Sequence, residues 1–467
     1  MTHLSQATES ICSKADSDIS HSIKGRLRYA HPYKEREIFM KLSASLRWTG
    51  VAAVTLASLG LVAPASGSIA HPVVAAETPS STPHAIDDGV VANAAVNAFS
   101  QVGQTMYAGG RFHSVQDPAR RTTLVRDNLF SFDVGTGAPT SWTPNVNGEV
   151  NAAYYMAPYL YVGGNFTTAD GVNSRLVRYR VDSGTPAIDT TWPASTVSAP
   201  VNDIDSAGGR LIVAGAFRQK LMALNPVTGR DSGYINLGIA GSVKRNGAGP
   251  IEVYRFAVSP DGSRLVAIGN FATVGTASRA RAFMADLGAT SATLASWYYQ
   301  PLNNGCAAAT LAAYLRDVDF SPDGSYFVLA ATGYIPQSGG VGRDICDAAA
   351  RFETNIANPA RPTWINYTGG DTLHSVAVTG AAVYVGGHQR WLDNPLGNNS
   401  PGAGSVPREG IGAINPTTGK ALPWNPGKTR GVGTKVIYPT STGVWFGSDG
   451  RRFAGVVRDS IAFTPLS

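Results

Sequence analysis

Three polar segments of the chain carry the side-chain types that bind sugars or protein surfaces. They are residues 111–128, 388–410 and 449–460. A tryptophan flanked by arginine, histidine and aspartate can stack on a sugar ring while its neighbours hydrogen-bond the hydroxyls, and it suits a protein epitope nearly as well. The alternative is that Trp391 folds back as a lid on its own part of the fold. The candidate ligand-binding residues are His113, Arg121, His388, Arg390, Trp391, Asp393, Arg451 and Arg452.

A second candidate site is a column of polar residues that recurs at corresponding positions along the chain. Its members are Asn97, Asn151, Asn202, Tyr254, Arg316, His374 and Thr434. These residues could line the mouth of a central channel, or they could cap the backbone where strands begin. The sequence leaves both interpretations open.

Carboxylates also recur beside this column, as Asp203 and Asp205 in one stretch and as Asp317 and Asp319 in another. Carboxylates around a channel could hold a cation such as Ca²⁺. However, Arg255 occupies the position equivalent to Asp203 and Asp317 in the stretch between them. A mutually neutralising Asp–Arg–Asp set is the simpler interpretation, so neither a metal site nor a cofactor is predicted.

Motifs of well-known enzymes are absent from the sequence. There is no GxSxG, no HExxH, no phosphate-binding loop and no dinucleotide-binding fingerprint. We therefore assign no catalytic residue and expect a binding or surface module. The alternative is an extracellular polysaccharide lyase or hydrolase that uses the channel mouth, with Asp317 among its residues.

The elements that must position these residues are visible as a repeat. An apolar strand ending in small residues recurs in forms such as MYAGG, LYVGG and VYVGG, and its fifth residue falls at 110, 164, 215, 269, 331, 387 and 448. A second strand precedes each copy, a third strand with a tight turn follows most of them, and no helical period interrupts them. Four short strands in each of seven units predict an all-β fold, a seven-bladed β-propeller.

The last unit lacks a strand, which must come from elsewhere if the ring is to close without an exposed edge. The sequence predicts that residues 85–93, AIDDGVVAN, pair with the seventh unit. Closure would also make the first, sixth and seventh units neighbours. Their long segments should then rise side by side on one face.

The stretch LYVGGNFTTADGVNSRLVRYRVDSGTPAIDTTW (160–192) resembles the delta-60-type repeats of secreted actinobacterial β-propellers. The stretches VSPDGSRL (258–265) and FSPDGSYF (320–327) are similar to the inner hairpin turn of WD40 and TolB-like blades. The resemblance covers roughly residues 90–467. It implies an extracellular propeller that serves as a recognition or surface module.

Two cysteines of the propeller region, Cys306 and Cys346, fall in segments that leave the same face of a propeller. The sequence predicts that they form a disulfide, and the alternative is two free thiols. No cysteine or histidine cluster accompanies them, which argues against a metal site.

The N-terminal region is typical of an export signal. A polar extension (1–39) precedes a basic start with Lys41 and Arg47, an apolar run (49–62) and small-residue cleavage sites at 63–65 and near 76. We assign 1–39 to an extension, 40–76 to a signal peptide and 77–467 to the propeller. The mature chain is then secreted, has no membrane-spanning segment and is expected to be a monomer.

Composition agrees with this assignment. Charged residues make up 15% of the 467 residues, and Gly (52) and Pro (28) are abundant, as expected for short strands joined by tight turns. The formal charge is +6, but residues 1–76 hold eight basic and five acidic residues, which leaves 30 against 27, or +3, for 77–467. A nearly neutral body argues against nucleic acid as a partner.

Overall fold

Short antiparallel strands make up almost all of the regular structure. The computed structural model describes residues 69–193, 197–243, 249–308 and 314–466, all within one compact unit, Val62–Ser467. The predicted extension (1–39) and the predicted signal peptide up to residue 68 lie outside the described residues. A 3₁₀ helix at Gln300–Asn303 is the only helix in the described ranges, none of which holds a helix long and apolar enough to cross a membrane.

The strands are numbered in chain order. Up to residue 240 they are β1 (His84–Ile86), β2 (Ala95–Val102), β3 (Thr105–Arg111), β4 (Ser114–Gln116), β5 (Thr123–Val125), β6 (Leu129–Asp133), β7 (Val150–Met156), β8 (Tyr159–Gly164), β9 (Thr168–Ala169), β10 (Val172–Asn173), β11 (Leu176–Arg180), β12 (Ala187–Ile188), β13 (Val201–Ala207), β14 (Arg210–Gly215), β15 (Leu221–Leu224) and β16 (Ile239–Ala240). Beyond it they are β17 (Glu252–Val258), β18 (Arg264–Asn270), β19 (Thr273–Val274), β20 (Ala277–Ser278), β21 (Ala282–Leu287), β22 (Ala292–Leu294), β23 (Leu315–Phe320), β24 (Tyr326–Ala331), β25 (Ala348–Glu353), β26 (Trp364–Tyr367), β27 (Leu373–Val378), β28 (Val383–Gly387), β29 (Trp391–Leu392), β30 (Val406–Pro407), β31 (Ile411–Ile414), β32 (Thr434–Thr440), β33 (Gly443–Ser448), β34 (Arg452–Phe453), β35 (Val456–Val457) and β36 (Ile461–Pro465).

Seven of the sheets follow the predicted repeat, and we call them blades one to seven. They are β2-β3-β6, β7-β8-β11-β12, β13-β14-β15, β17-β18-β21-β22, β23-β24-β25-β26, β27-β28-β31 and β32-β33-β36. The first strand of each blade contacts the first strand of the next, and β32 contacts β2. The chain is therefore an all-β propeller with a closed ring of sheets, as predicted.

The core is divided among the interfaces between neighbouring blades. Each of seven apolar clusters joins two adjacent sheets. The cluster that joins blade seven to blade one packs Trp445 against Phe99 and Phe132, with ring centroids 6.0 and 5.3 Å apart. Burial of aromatic and aliphatic surface therefore stabilises the closing interface as it does the others.

The two glycines that end the second strand have a packing role. A Cβ atom on Gly163 would lie 2.5 Å from Cγ1 of Val201, in the first strand of the next blade. A Cβ atom on Gly164 would collide with the carbonyl oxygen of Glu149, just before the first strand of its own blade. Small residues here let each blade approach its neighbour closely, which explains why the motif recurs.

The fourth strand is less regular than predicted. Only blades two, four and five have one, namely β12, β22 and β26. In blades one, three and six a single bridge takes its place, at Phe132–Pro139, Leu224–Asp231 and Ile414–Ala421. Pro139, and Pro423 shortly after the bridge in blade six, lack the N–H that a longer ladder needs.

The N-terminal segment that closes the ring runs along β36, the last strand of blade seven. Ala76 and Ser80 donate backbone hydrogen bonds to the carbonyls of Pro465 and Phe463, each 2.8 Å long. A bridge between Ala75 and Leu466 extends the same pairing. The outer edge of blade seven is thus covered by a segment that precedes blade one. Residues 69–76 of this segment fall within the predicted signal peptide (40–76), so cleavage near 76 would remove part of it, whereas cleavage at the earlier small-residue site, 63–65, would keep it.

This closing segment is not the one predicted, residues 85–93. Ala85 alone in that range bonds to blade seven, through Asp459, while β1 pairs with β4 beside blade one. The rest forms an exposed loop. The Asp87 and Asp88 carboxylates accept hydrogen bonds from backbone N–H groups within this loop, which favours a turn over pairing with another strand. The prediction of closure is correct, but the assigned residues are wrong.

Five small sheets lie outside the blades, built on the segments between second and third strands. They are β1-β4-β5, β9-β10, β16-β19-β20, β29-β30 and β34-β35. β1 and β16, which precede blades one and four, each add a strand to one of these sheets. The long segments of blades one, six and seven therefore contain short hairpins, which give the polar side chains defined positions.

The predicted disulfide between Cys306 and Cys346 is present, with a Cα–Cα distance of 5.9 Å and 40 residues between the two positions. Both side chains are buried. The bond connects the entry into blade five with the segment between β24 and β25.

Replacing Cys306 and Cys346 together with serine should lower the free energy of unfolding by about 4 kcal/mol, because the bond restricts the unfolded chain. Urea denaturation of the oxidised protein and the double variant would measure this difference. The wild-type protein under reducing conditions should behave like the variant. An unchanged denaturation midpoint in both cases would contradict the prediction.

Candidate functional site

A β-bulge occurs at the same place in the first strand of every blade. In each strand one residue near the start is left out of the pairing with the second strand. The seven bulge residues are Asn97, Asn151, Asn202, Tyr254, Arg316, His374 and Lys435. Bulges free a side chain from the alternation of the strand and aim it in a new direction.

All seven bulge residues line one cavity of about 480 Å³ at one end of the central channel. We call this cavity the channel mouth. Six of its seven bulge residues were predicted from the sequence as the polar column. The seventh is Lys435 and not Thr434, whose side chain is fully buried and donates a hydrogen bond to Gly410.

The long segments of blades one, six and seven rise on the same face as the channel mouth. Each long segment leaves from the end of a second strand, and that end pairs with the start of the first strand, where the bulge lies. In blade two, for example, Gly164 pairs with Val150, and the other blades repeat this arrangement. His388 in the blade-six segment has its ring centroid 5.8 Å from that of His374 at the mouth. The two sites predicted as alternatives are therefore adjacent at this point.

The three asparagines of the mouth also connect neighbouring blades. The side-chain amide of Asn151 donates to the Val201 carbonyl, and that of Asn202 donates to the Val253 carbonyl, both over 2.9 Å. Asn97 makes the same bond to Val150 over 3.3 Å. These three residues therefore bond the backbone of the next blade and also line the channel mouth.

Two glutamates add negative charge to the arc formed by blades one to four. Glu149 accepts a hydrogen bond from Asn97, and Glu252 accepts one from Asn202, each 2.8 Å long. Both glutamates line the channel mouth. Burial raises the pKa of Glu252.

The arc formed by blades five to seven carries positive charge instead. Arg316, His374 and Lys435 lie there in neighbouring blades. Arg316 stacks over the ring of Tyr314 at 4.4 Å, and Tyr314 lies 5.6 Å from Tyr254. Burial lowers the pKa of Arg316 and Lys435 and holds that of His374 well below its ordinary value, so His374 is neutral at physiological pH.

The predicted carboxylates lie deeper, where Asp203, Asp317 and Asp319 line a cavity of about 140 Å³ together with Arg255. Arg255 Nη1 is 3.6 Å from Asp203 Oδ1, and its charge lowers the pKa of Asp203 and Asp317 against the larger effect of burial. Burial raises the pKa of Asp317 to about 7 and that of Asp205 to about 8. The Asp–Arg–Asp set is arranged as the sequence suggested.

These carboxylates are already engaged by the backbone. Asp203 accepts from the N–H of Phe256 over 2.9 Å, and Asp317 accepts from that of Val376 over 2.9 Å. Across the described ranges, no group of three or more His, Cys, Asp or Glu side chains is placed to hold a metal ion. The channel carboxylates thus join blades to one another.

In the blade-six segment, the predicted residues have mostly structural partners. Asp393 accepts from the side chain of Asn366 over 2.7 Å and from a backbone N–H. Arg390 bonds Asp371 through two nitrogens and stacks over the half-buried ring of Trp391 at 4.3 Å. Asp393 is therefore not free to bind a ligand, whereas Trp391 keeps one exposed part.

The predicted residues of blades one and seven are connected through other charges. His113 bonds Asp127 over 2.7 Å, and this bond raises the pKa of His113. Asp459 pairs with Arg451 over 3.4 Å and with Arg120, a neighbour of the exposed Arg121, over 2.7 Å. Arg452 is exposed and bonds the Gly455 carbonyl within its own hairpin.

Sequence reasoning missed Glu149, Glu252 and Lys435. A signal for the two glutamates was present, since GEVN (148–151) and IEVY (251–254) both place glutamate two residues before a column residue. Lys435 was missed because the position of the bulge depends on pairing with β33. A strand read alone does not reveal that pairing.

No protein-family profile matches the chain, and no curated protein matches its sequence. Among solved structures it is similar to the WD40 β-propeller domain of Doa1, with 12% identity, a TM-score of 0.44, and coverage of 83% of this chain and 96% of that one. It is also similar to the computationally designed Ika8 protein, with 10% identity, a TM-score of 0.43, and coverage of 81% and 98%. The fold assignment rests on the ring of sheets and its inter-blade cores, which define a β-propeller with a polar pocket at one channel end.

Proposed function

We propose that this protein is a secreted, monomeric, non-catalytic β-propeller that binds a glycan at the channel mouth. One observation carries the proposal: all seven blades direct their bulge residue into a single cavity. Bulges cost ladder hydrogen bonds and are frequent next to functional sites. A propeller needs no polar cavity of this size to fold, because its apolar cores lie between blades.

The chemistry of the mouth suits a polyhydroxylated ligand. Amide and carboxylate groups line one arc of the cavity and cationic groups line the other, so hydroxyl groups find both donors and acceptors. The half-buried ring of Tyr254 offers an apolar face beside them. The volume is within the range of pockets that hold small ligands.

Secretion is supported by the disulfide and by the export signal predicted from residue 40, with cleavage at the 63–65 site so that residues 69–76 remain in the ring. Structural disulfides persist mainly in oxidising compartments. The resemblance to delta-60-type repeat proteins is consistent with this location and remains a prediction. A cell-envelope polymer is the glycan source that such a location favours.

A glycan array probed with the secreted protein would identify the ligand, and titration would give its affinity. Tyr254→Ala should weaken binding at least tenfold, because aromatic anchors dominate such sites. Trp391→Ala, on the neighbouring segment, is the matched comparison and should have a smaller effect. Loss of binding in Trp391→Ala alone would move the site to the exposed segments, and capture of a protein in place of a glycan would contradict the proposal.

A second candidate function is β-elimination from an acidic polysaccharide. The observation that favours it is the convergence of neutral His374 with Arg316, Lys435 and Tyr254. Cations can neutralise a uronate carboxylate while a base removes the C5 proton, after which the C4–O bond breaks and a C4=C5 double bond forms. Ultraviolet absorbance of the unsaturated product, lost in His374→Ala, would establish this activity.

A further inference from the structure

The positive arc of the channel mouth contains cations that form no ion pair. Arg316 and Lys435 have no carboxylate within ion-pair distance among the described residues, and the charges of Asp347 on Arg316 and of Asp449 and Glu149 on Lys435 act from farther away. They lie on either side of His374, in blades five, seven and six. Cations at half-buried positions usually have a partner, because removal from water disfavours their charge.

Two buried polar atoms in the same arc are also unsatisfied. The Nε atom of Arg316 and the Nε2 atom of His374 are buried and have no hydrogen-bond partner within the described ranges. An unpaired buried polar group is unfavourable, because it has lost its hydrogen bonds to water. Stacking of Arg316 on Tyr314 fixes the guanidinium in place, so the arc is organised in advance of any ligand.

The channel carboxylates do not account for these cations. Arg255 is the cation that lowers the pKa of both Asp203 and Asp317. Their remaining partners are backbone N–H groups of their own strand and of the next blade. Neither Arg316 nor Lys435 is needed for that balance, which leaves their charge available at the mouth.

The opposite arc presents acceptors, with Glu149 and Glu252 bonded to Asn97 and Asn202. A ligand that satisfies both arcs needs an anionic group on one side and hydroxyl donors on the other. An acidic sugar has both within one residue. We propose that Arg316, His374 and Lys435 bind the carboxylate of a hexuronic acid residue in the glycan, an inference that rests on the proposed function.

The test compares oligosaccharides of glucuronic, galacturonic and mannuronic acid with the same compounds after reduction of the carboxyl group to a hydroxymethyl group. We expect at least tenfold tighter binding of one acidic form over its reduced counterpart, measured by titration calorimetry. Arg316→Gln combined with Lys435→Gln should abolish that preference. Arg230→Gln, which removes an exposed charge after β15, is the matched control and should keep it.

Lys435→Arg retains the charge and should keep the preference, which separates loss of the site from loss of folding. Added salt should weaken acidic binding to the wild type, because the interaction is electrostatic. Equal binding of acidic and reduced forms at the mouth would overturn this inference and leave the proposed function intact. If no glycan, acidic or neutral, binds in a way that Tyr254→Ala weakens, the proposed function itself fails.

Discussion

Deletion of residues 69–83 should reduce the free energy of unfolding by about 5 kcal/mol or more, a large part of the total for a typical protein. The segment contributes hydrogen bonds to blades six and seven, each worth about 1 kcal/mol. These bonds join His71 to Thr379 and Thr440, Ala75 to Tyr384, Ala76 to Pro465 and Trp424, Ser80 to Phe463, and Thr82 to Ile461. Deletion would also expose the edge of β36, so we expect aggregation on heating.

The matched control replaces residues 87–93 with a Gly-Ser linker of equal length. Most of this loop is exposed, and its side-chain hydrogen bonds are local apart from one between Asp88 and Ser114, so the melting temperature should change little. Differential scanning calorimetry of both variants would measure the contrast. Equal losses in the two variants would show that residues 69–83 do not close the ring.

Arg255→Met should destabilise the fold by about 3–5 kcal/mol near pH 8, because buried carboxylates would lose their cation. Arg255 also donates hydrogen bonds to the carbonyls of Asn151 and Asn202. Its removal leaves Asp203 and Asp317 to the backbone N–H groups alone. Urea denaturation would measure the change, with the exposed Arg230→Met as control.

The loss should be smaller at pH 5. Burial raises the pKa of Asp317 to about 7 in the folded protein, against about 3.9 in the unfolded chain. A carboxyl that binds its proton more tightly when folded destabilises the fold as pH rises from about 4 towards the folded pKa. Without Arg255 that pKa rises further, so the deficit grows between pH 5 and pH 8. A deficit independent of pH would contradict this account.

Much of the fold could be predicted because the same local residue preferences recur in every blade. Strands ending in small residues recur wherever two blades must approach closely, as at Gly163 and Gly164. The disulfide followed from the face on which two segments emerge. The bond between Cys306 and Cys346 could therefore be predicted without knowledge of side-chain packing.

The closing segment could not be predicted in the same way. Residues 75–82, AAETPSST, contain a proline and no aromatic or branched aliphatic residue, so nothing in them is typical of a strand. Their position is determined by the free edge of β36, nearly four hundred residues away in the chain. Long-range pairing of this kind is a tertiary effect, which a local pattern does not record.

The candidate site was predicted in part for the same reasons. Six bulge residues share a position within the repeat, and the repeat reveals them. Asp393 has its partner in β26 of the neighbouring blade, and His113 has its partner, Asp127, at the far end of its own segment, so the sequence presented both side chains as free. Only the structure shows Asp393 bonded to Asn366, and Arg316 without an anion.

Because of the bulge in each first strand, the side chains that line the pocket are not the ones that hold the strands of each blade together. A bulge residue contributes no rung to its ladder, so its side chain can be exchanged while the strand keeps its register. Asn97, Asn151 and Asn202 retain a bond to the next blade, and His374 bonds the backbone of Val432 at the entry into blade seven. The side chains of Tyr254, Arg316 and Lys435 have no such bond among the described residues. These three positions form a natural set for a combinatorial library. Selection at them could redirect the propeller to new ligands without redesign of the scaffold.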